Sequence, residues 1–300
     1  MRLGTRGSAL ALWQAEWIAS QLHARGISVE LIRIQTSGDV SAQPLQAGGG
    51  QGLFTKEIQR ALLDDRIDLA VHSLKDLPTE PVPGLALVAV PPRESCGDVL
   101  VSNVARCLAD LPPQAHVGTG SRRRRCQLLH HRPDLRVGDI RGNVDTRLRK
   151  LDEGEYDAII LAEAGLKRLG WSHRIAEVIP PSVMLPAVGQ GALGVETRSD
   201  DLATRRALAP LNDTASHAAV LAERALLAEL RGGCLAPVGA WGRVADDRLV
   251  LEGAVLSLDG GRRVAASAAG SLEEAHEVGV RVARQLLDQG AQELIAAARL

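Results

Sequence analysis

An apolar strand that runs into a cluster of polar, ionisable side chains is the segment of this 300-residue chain most typical of an active site. Residues 68–78 read Asp-Leu-Ala-Val-His-Ser-Leu-Lys-Asp-Leu-Pro. A buried strand of an α/β sheet delivers the residues that follow it to the carboxyl edge of the sheet, where ligands bind. We therefore predict that Asp76 is a working carboxylate, with the capping of a turn before Pro78 as the structural alternative.

A run of four arginines at a predicted helix start is the second candidate. Residues 118–121 read Gly-Thr-Gly-Ser and precede Arg122 to Arg125, with Ser121 as the predicted N-cap. Cations in a first helical turn oppose the helix macrodipole at a cost of about 0.3 to 1 kcal/mol each when exposed, so stability alone would not select them. Backbone N–H groups and guanidinium forks together form an anion site, and a solvated charge run is the open alternative.

The third candidate is a cysteine on a loop. Residues 231–237 read Arg-Gly-Gly-Cys-Leu-Ala-Pro and follow a predicted helix over residues 214–230. The two glycines are predicted to end that helix and to leave Cys234 with little side-chain cover, as a nucleophile or an attachment point. An ordinary half-buried cysteine is the alternative.

Composition argues against several classes of function. The chain is 45% hydrophobic with a formal net charge of -1, so it can bury a sizeable core and has no global field that draws it to nucleic acid or anionic membrane. Aromatic residues are 2% of the chain, with Phe54 and Tyr156 as the sole Phe and Tyr, which argues against base-stacking platforms. We expect no nucleic-acid partner.

Cysteine usage and the N-terminal residues favour a cytoplasmic protein. The four cysteines show no C-x-x-C spacing and no disulfide or zinc framework, so no metal is expected. An apolar stretch at residues 10–13 is interrupted by Gln14 and Glu16, and no cleavage site follows. We therefore expect neither a signal peptide nor a membrane span, and an exported two-lobed binding protein is disfavoured.

Helical and strand patterns alternate along most of the chain. Residues 1–91 contain a predicted helix over residues 8–23, a strand over 28–34, a helix after Thr55 and strands near Asp68 and Leu85. Residues 47–52 lack the Gly-Lys-Ser/Thr of a phosphate loop and are predicted to be a mobile loop. After Pro91 and Pro92 the alternation restarts, with strands over 115–118, 135–138 and 156–162, a helix through the arginines and another from Asn143.

The predicted fold class is α/β, with two periplasmic-binding-protein-like α/β lobes around a cleft and a smaller C-terminal α+β domain that carries the cysteine. The first lobe comprises residues 1–91 and 192–211, the second 92–191, and the C-terminal domain 212–300. Prolines and glycines over residues 180–191 break the pattern, as a hinge returning to the first lobe would. In the C-terminal domain, strands over 249–256 and 263–269 precede a helix that Ser271 and Glu274 open as a capping box, with Val278, Val282 and Leu286 on one face.

Six motifs together closely resemble the porphobilinogen deaminase (hydroxymethylbilane synthase) family over almost the whole chain. The motifs are His72-Ser73-Leu74-Lys75-Asp76-Leu77-Pro78, Gly118-Thr119, Arg123-Arg124, Arg141-Gly142-Asn143-Val144, Pro186-Ala187-Val188-Gly189-Gln190-Gly191 and Gly232-Gly233-Cys234. The resemblance implies a transferase of haem and tetrapyrrole biosynthesis. Such an enzyme deaminates porphobilinogen, joins four units head to tail on a covalently bound dipyrromethane, and releases the linear tetrapyrrole hydroxymethylbilane by hydrolysis.

The same resemblance implies a role for each motif residue. Cys234 would carry the dipyrromethane through a thioether. Asp76 would stabilise the cationic azafulvene left when ammonia departs, and Lys75 and Arg6 would be further catalytic residues. The implied cofactor-binding residues, besides Cys234, are Ser73, Lys75, Asp76, Thr119, Ser121, Arg123, Arg124, Arg141 and Arg147. The implied substrate-binding residues are Arg6, Phe54, Arg141, Arg147, Arg168 and Gln190. Arginine forks suit the acetate and propionate groups of each pyrrole.

Four positions depart from the family pattern. Gly120, Arg122, Arg125 and Gln51 stand where Ser, Leu, Gln and Lys are common, so anion binding by Arg122 and Arg125 is not implied. The implied partner is the small-molecule substrate porphobilinogen, and a monomer without membrane or nucleic-acid partners is expected. A non-catalytic two-lobed anion-binding module is the rival function, and Cys234 separates the two because such a module has no use for a pyrrole adduct on a loop thiol.

Overall fold

The computed structural model describes residues 1–36, 55–233 and 235–298. They fall into two compact units: unit one comprises Met1–Arg93 and Ala192–Ala218, and unit two comprises Glu94–Gly191 and Ala219–Leu300. The three-part domain division expected from the sequence stays a prediction, since this partition assigns most of residues 212–300 to unit two.

The described elements are numbered in chain order. The strands are β1 Arg2–Thr5, β2 Glu30–Arg33, β3 Leu69–Ser73, β4 Leu85–Ala89, β5 Asp98–Ser102, β6 His116–Gly118, β7 Arg136–Gly138, β8 Ala158–Ala162, β9 Glu177–Ile179, β10 Leu193–Arg198, β11 Val238–Ala245, β12 Arg248–Leu256 and β13 Arg263–Gly270. The α-helices are α1 Ala9–His23, α2 Lys56–Leu63, α3 Arg122–His131, α4 Val144–Asp152, α5 Glu163–Arg168, α6 Leu202–Leu208, α7 Thr214–Glu229, α8 Ala275–Asp288 and α9 Ala291–Ala297. Short 3-10 helices cover Leu74–Asp76, Ser172–Arg174 and Ala209–Leu211.

Unit one is built on a five-stranded mixed sheet with the order β2-β1-β3-β10-β4. β1 runs parallel to both β2 and β3, whereas β10 runs antiparallel to β3 and β4. Alternate β3 side chains enter different clusters: Leu69 and Val71 pack with Leu3 and Ile18, and Ala70 packs with Ile58. Both faces of β3 are therefore buried, as its nearly continuous apolar sequence indicates.

Unit two contains a sheet with the same pattern, in the order β7-β6-β8-β5-β9. β6 runs parallel to β7 and β8, and β5 runs antiparallel to β8 and β9. Leu100 and Ile160 pack on one face and Val99 and Ile159 on the other, so helices cover both faces. The predicted α/β class and the predicted alternation of helices and strands are confirmed in both units.

The C-terminal part of unit two is an antiparallel sheet of β11, β12 and β13 with α8 packed against it. The predicted apolar face of α8 is confirmed, because Val278, Val282 and Leu286 are fully buried. The predicted capping box is only half formed. Glu274 accepts a hydrogen bond from the Ser271 backbone N–H at 2.8 Å, but α8 begins at Ala275 and no side chain caps its first turn. Ser271 therefore lies too far upstream to be the N-cap.

None of the described helices combines the length with the apolar composition that crossing a bilayer requires.

Candidate active site

The ends of three parallel strands bring the predicted polar and basic residues of unit two to one edge of its sheet. Thr119 follows β6, Arg141 lies three residues after β7, and α5, which ends at Arg168, follows β8 directly. Because β6 pairs in parallel with both β7 and β8, the carboxyl ends of all three strands meet at the same edge. Motifs that are far apart in sequence are therefore neighbours there.

Ser121 is the N-cap of α3, as predicted. Its hydroxyl accepts a hydrogen bond from the Arg124 backbone N–H at 3.4 Å, and the Thr119 hydroxyl accepts one from the Ser121 N–H at 3.2 Å. Thr119 is buried and Ser121 partly buried. These contacts fix the loop that leads into the arginines and shape the amino end of α3.

Two of the four arginines converge on one buried carboxylate that sequence reasoning missed. Arg123 Nη1 donates to Asp98 Oδ2 at 2.6 Å and to the Leu185 carbonyl at 2.6 Å. Arg124 Nε donates to Asp98 Oδ1 at 2.8 Å, and its Nη1 donates to the Ile160 carbonyl at 2.9 Å. Asp98 is fully buried, and the two arginines are 4% and 5% exposed, so these ion pairs are shielded from solvent.

The electrostatics of this cluster follow from two positive charges facing one negative charge. Burial by itself raises the pKa of the Asp98 carboxyl, but the charges of Arg123 and Arg124 outweigh it and lower that pKa to about 2. Burial lowers the pKa of Arg124, Asp98 opposes that shift, and the neighbouring Arg123 charge adds to it. The cluster therefore carries a buried net positive charge.

Gln190 is a third partner of Asp98. Its Nε2 donates to Asp98 Oδ1 at 3.0 Å and to the Cys96 carbonyl at 2.7 Å. Gly189 and Gly191 flank it with φ values of +71° and +84°, and a Cβ at Gly191 would meet the carbonyl oxygens of residues 94 and 95. The two glycines thus let the chain turn tightly enough to insert Gln190, which is 1% exposed, into the cluster.

The two arginines that depart from the family pattern bind backbone carbonyls. Arg122 donates to the Ala298 carbonyl, and Arg125 Nη1 donates to the Val137 carbonyl at 2.9 Å. Both side chains are partly buried, so the alternative of a solvated charge run does not hold for this pair. Their contacts are structural and link α3 to its neighbours.

The remaining predicted arginines of unit two lie around the same sheet edge. Arg147 Nε donates to the Gly142 carbonyl at 2.8 Å, which folds the exposed loop of Arg141 back over the first turn of α4. Arg168 Nη2 donates to the Gly191 carbonyl at 2.7 Å, and burial lowers the pKa of Arg168 to about 10. Arg168 remains a cation at neutral pH because this pKa lies well above 7.

In unit one the same geometry groups the predicted catalytic residues. Arg6 follows β1 and the 3-10 helix Leu74–Asp76 follows β3, and these two strands are parallel neighbours. A cavity of about 70 Å³ opens at this edge, lined among others by Arg6, Ser73 and Asp76. Gln14 also lines it and donates from Nε2 to the Ser73 hydroxyl at 2.8 Å. Lys75 lies between Ser73 and Asp76 and is partly buried.

Behind this cavity lies a buried polar cluster that the sequence did not reveal. His72 Nε2 lies 3.1 Å from Glu196 Oε2, and Gln59 Nε2 donates to the same carboxylate at 3.1 Å and 3.2 Å. All three are less than 10% exposed, and His72 also lines the cavity. The cluster joins β3, β10 and α2, and His72 immediately precedes the Ser73–Asp76 segment in the chain.

Four sequence predictions concern residues outside those that the structure describes: Cys234, Phe54, the departure at Gln51 and the loop over residues 47–52. The flanks of Cys234 are described. α7 ends at Glu229, ahead of the two glycines predicted to end it, and Arg231 just beyond it adopts a left-handed conformation with φ +49°. The Gly232 N–H donates to the Leu227 carbonyl at 3.0 Å and closes the helix end.

The described residues of unit two suit a group that carries carboxylates. Arg123 Nε is buried and has no hydrogen-bond partner among the described residues, and its guanidinium belongs to the cluster with net positive charge. A buried donor of this kind costs free energy unless an acceptor reaches it, and carboxylates match guanidinium geometry. The donor set thus fits the acidic side chains of a dipyrromethane. No group of three or more potential metal ligands occurs in the described part of the chain.

Comparisons with known proteins cover the chain almost end to end. The family model described as porphobilinogen deaminase, dipyromethane cofactor binding domain, matches residues 1–206, and the model for the C-terminal domain of that enzyme matches residues 217–288. A porphobilinogen deaminase from Syntrophotalea carbinolica is 49% identical in an alignment of 300 residues that covers 99% of this chain and 95% of the relative. One from Geobacter sulfurreducens is 48% identical over 99% of this chain and 94% of its own.

Likenesses to solved structures are much weaker. A methionine-binding lipoprotein from Bacillus subtilis, described as putative in its source, aligns with 70% of this chain and 89% of its own at 12% identity and a TM-score of 0.45. A periplasmic substrate-binding protein from Coxiella burnetii aligns with 70% of this chain and 91% of its own at 15% identity and a TM-score of 0.43. The two family models and the nearly full-length relatives suffice for assignment, and the chain belongs to the porphobilinogen deaminase family.

Proposed function

We propose that the two units of this chain divide the work of its reaction, with unit two holding cofactor carboxylates and unit one carrying the chemistry on the substrate. As a member of its family the chain is a transferase that polymerises porphobilinogen into a linear tetrapyrrole on a dipyrromethane cofactor. The family gives no support to the rival interpretation as a non-catalytic anion-binding module.

The observation that carries the assignment of unit two is the Asp98–Arg123–Arg124 cluster. A buried cluster with excess positive charge is unfavourable by itself and becomes favourable when an anion completes it. We assign Arg123 and Arg124 to one cofactor carboxylate. Thr119 and Ser121, which fix the loop before α3, and Arg141 and Arg147 are assigned to further polar and carboxylate contacts of the cofactor.

Gln190 and Arg168 belong to the same proposal with different roles. Because the Gln190 amide already donates to Asp98 and to the Cys96 carbonyl, its contribution to substrate binding would be indirect, through the arginine cluster. Arg168 is assigned to the carboxylates of incoming substrate, with Arg141 and Arg147. The bond of Arg168 to the Gly191 carbonyl would hold its guanidinium in place.

In unit one, Asp76 is the proposed catalytic carboxylate. The departure of ammonia from the aminomethyl group of porphobilinogen leaves a cation on the substrate. At about 4 Å and an effective dielectric near 20, one carboxylate stabilises one positive charge by about 4 kcal/mol. Lys75 and Arg6 are the further catalytic residues proposed beside it. Arg6 would also bind substrate carboxylates, and Ser73 and Lys75 would contact the cofactor. Phe54 is assigned to substrate packing, and its position lies outside the described residues.

Bound dipyrromethane supplies the nucleophilic pyrrole carbon to which substrate is joined. We propose that Cys234 holds it by a thioether, because Cys234 alone of the four cysteines lies in the Gly-Gly-Cys motif. We further propose that the protein is a cytoplasmic monomer. The free thiols of Cys107 and Cys126 suit a reducing compartment, and sedimentation velocity would test the monomer.

Intact-mass spectrometry of the purified protein tests the proposed function. The expected mass exceeds that of the chain by two porphobilinogen units less the two ammonia molecules lost in coupling. The Cys234→Ala variant should show the bare chain mass and no turnover, whereas Cys107→Ala, the matched control at another cysteine, should keep both adduct and turnover. An active preparation with the bare chain mass would overturn the proposal.

A further inference from the structure

We propose that Asp98 is a positioning residue that assembles Arg123 and Arg124, before any ligand binds, into a receptor for a single carboxylate group. The inference rests on the proposed function in one respect, namely that the carboxylate belongs to the dipyrromethane. The role of Asp98 itself follows from its contacts.

The geometry fixes both guanidinium groups. Each Asp98 oxygen accepts from a different arginine, at 2.6 Å from Arg123 and 2.8 Å from Arg124. A backbone carbonyl holds each arginine from another direction, Leu185 for Arg123 and Ile160 for Arg124. With two fixed anchor points apiece, neither planar group can rotate freely, so its remaining donors keep their directions in the absence of a ligand.

The position of Asp98 in the sheet explains why it meets both arginines. It is the first residue of β5, paired with Ala162 at the end of β8. Because β5 runs antiparallel to β8, the beginning of β5 lies at the edge where β6 and β8 end and α3 begins. An antiparallel strand in an otherwise parallel group thus delivers an acid to the edge that binds anions.

The charges leave room for one anion and not for more. Asp98 compensates one of the two guanidinium groups, and Gln190, the other side chain on its carboxylate, is neutral. Glu163, the acid that begins α5, is engaged elsewhere, with the Lys167 ammonium at 2.9 Å and the Ser95 hydroxyl. Arg123 Nε, buried and without a partner among the described residues, is a donor for the missing acceptor. One carboxylate would complete both the charge balance and the hydrogen bonding.

This role makes a prediction that a merely structural ion pair does not. If Asp98 only stabilised the fold, its removal would destabilise the apo and holo forms equally. If Asp98 shares the arginines with a cofactor carboxylate, its removal should lower the stability of the apo form more than that of the holo form, because the cofactor still neutralises one guanidinium in the holo form.

The test compares melting temperatures of apo and holo protein for the wild type and Asp98→Asn. Apo protein is produced in cells unable to make porphobilinogen, and holo protein by adding porphobilinogen, with adduct confirmed by intact mass. The substitution keeps shape and removes the charge, so the gap between holo and apo melting temperatures should widen by about 3 to 12 °C. Asp68→Asn is the control, since Asp68 pairs with Arg2 at 2.6 Å and precedes β3, at the edge opposite Asp76. Its gap should equal that of the wild type.

A second variant covers the case in which Asp98→Asn does not fold in either form. Arg123→Gln reduces the cluster from a net charge of one to zero and should narrow the gap. If Asp98→Asn folds only with cofactor, the difference between its holo and apo stabilities is at its largest, and this result supports the proposal. Equal gaps in wild type, Asp98→Asn and Arg123→Gln would overturn it. Wild-type protein without an adduct would instead refute the proposed function, so the two failures are distinguishable.

Discussion

Replacement of Arg124 by lysine is the sharpest probe of how the anion site is held. Arg124 donates from Nε to Asp98 at 2.8 Å and from Nη1 to the Ile160 carbonyl at 2.9 Å, with a weaker contact to Gln190 at 3.5 Å. Lysine keeps the charge and can reach one of these partners, but it lacks the planar fork that reaches all of them.

The expected loss of stability is dominated by one bond. A charge-assisted hydrogen bond at 2.9 Å in a buried site contributes about 1.5 to 3 kcal/mol, and the 3.5 Å contact adds little. We therefore expect Arg124→Lys to lower the free energy of unfolding of the holo protein by about 2 to 3 kcal/mol. Arg149→Lys is the control, because Arg149 pairs with Glu153 on an exposed face of α4, where such pairs contribute about 0.3 to 0.5 kcal/mol.

Urea unfolding of the two variants and the wild type, at equal adduct occupancy by mass, measures the difference. The midpoint should fall clearly for Arg124→Lys and hardly for Arg149→Lys, with unchanged slopes. A loss below about 1 kcal/mol for Arg124→Lys would mean that the Ile160 contact is not made in solution, and the reasoning about a fixed guanidinium would fail with it.

Three further predictions follow from single groups. Asp76→Asn should keep fold and adduct but lower turnover by about a thousandfold, as the loss of about 4 kcal/mol of charge stabilisation implies, and near-normal turnover at full cofactor occupancy would make Asp76 structural. The pKa of Asp98 in the folded protein, about 2, lies below the ordinary value of 3.8. Ionised Asp98 therefore adds about 2 kcal/mol to the free energy of unfolding above pH about 4, and this stabilisation is lost as pH falls toward 2. Urea unfolding of wild type and Asp98→Asn across that window should show the difference between them shrinking, and a constant difference would contradict the assignment. Gly191→Ala should cost about 2 to 4 kcal/mol by urea unfolding because its Cβ meets two carbonyls, whereas Gly154→Ala, with φ +79° and open space, should cost about 1 kcal/mol, and equal costs would rule out the collision.

Much of the site could be predicted from local sequence because local signals place it. Ser121 before the arginines and Asn143 before α4 are recognisable N-caps, and the structure has both, with Asn143 accepting from the Thr146 N–H at 3.0 Å. The apolar run of β3 likewise predicts a buried strand that ends at Ser73. Strand ends and helix starts locate side chains at a sheet edge without knowledge of the tertiary contacts.

The partners of those side chains could not be predicted, because they come from distant strands. Asp98 opens a strand that the sequence pattern did not distinguish from a loop, and its pairing with β8 depends on a contact 64 residues away in the chain, from Asp98 to Ala162. Glu196 reaches His72 only through the antiparallel pairing of β10 with β3. A run of arginines in the sequence also looks uniform, although two of them face a buried acid and two bind carbonyls.

The strand order of unit one has a consequence for synthesis on the ribosome. β10 lies between β3 and β4, so the sheet stays divided until residues 193–198 emerge, whereas the sheet of unit two has all its strands within residues 98–179. At about 5 to 20 residues per second, the nascent chain waits roughly 5 to 20 seconds between β4 and β10. During that interval β3 and β4 each present an unpaired edge, which is where strands of other chains add. The sheet of unit two can thus be completed before the sheet of unit one. Unit one is therefore the part of the chain that a nascent-chain chaperone would have to protect.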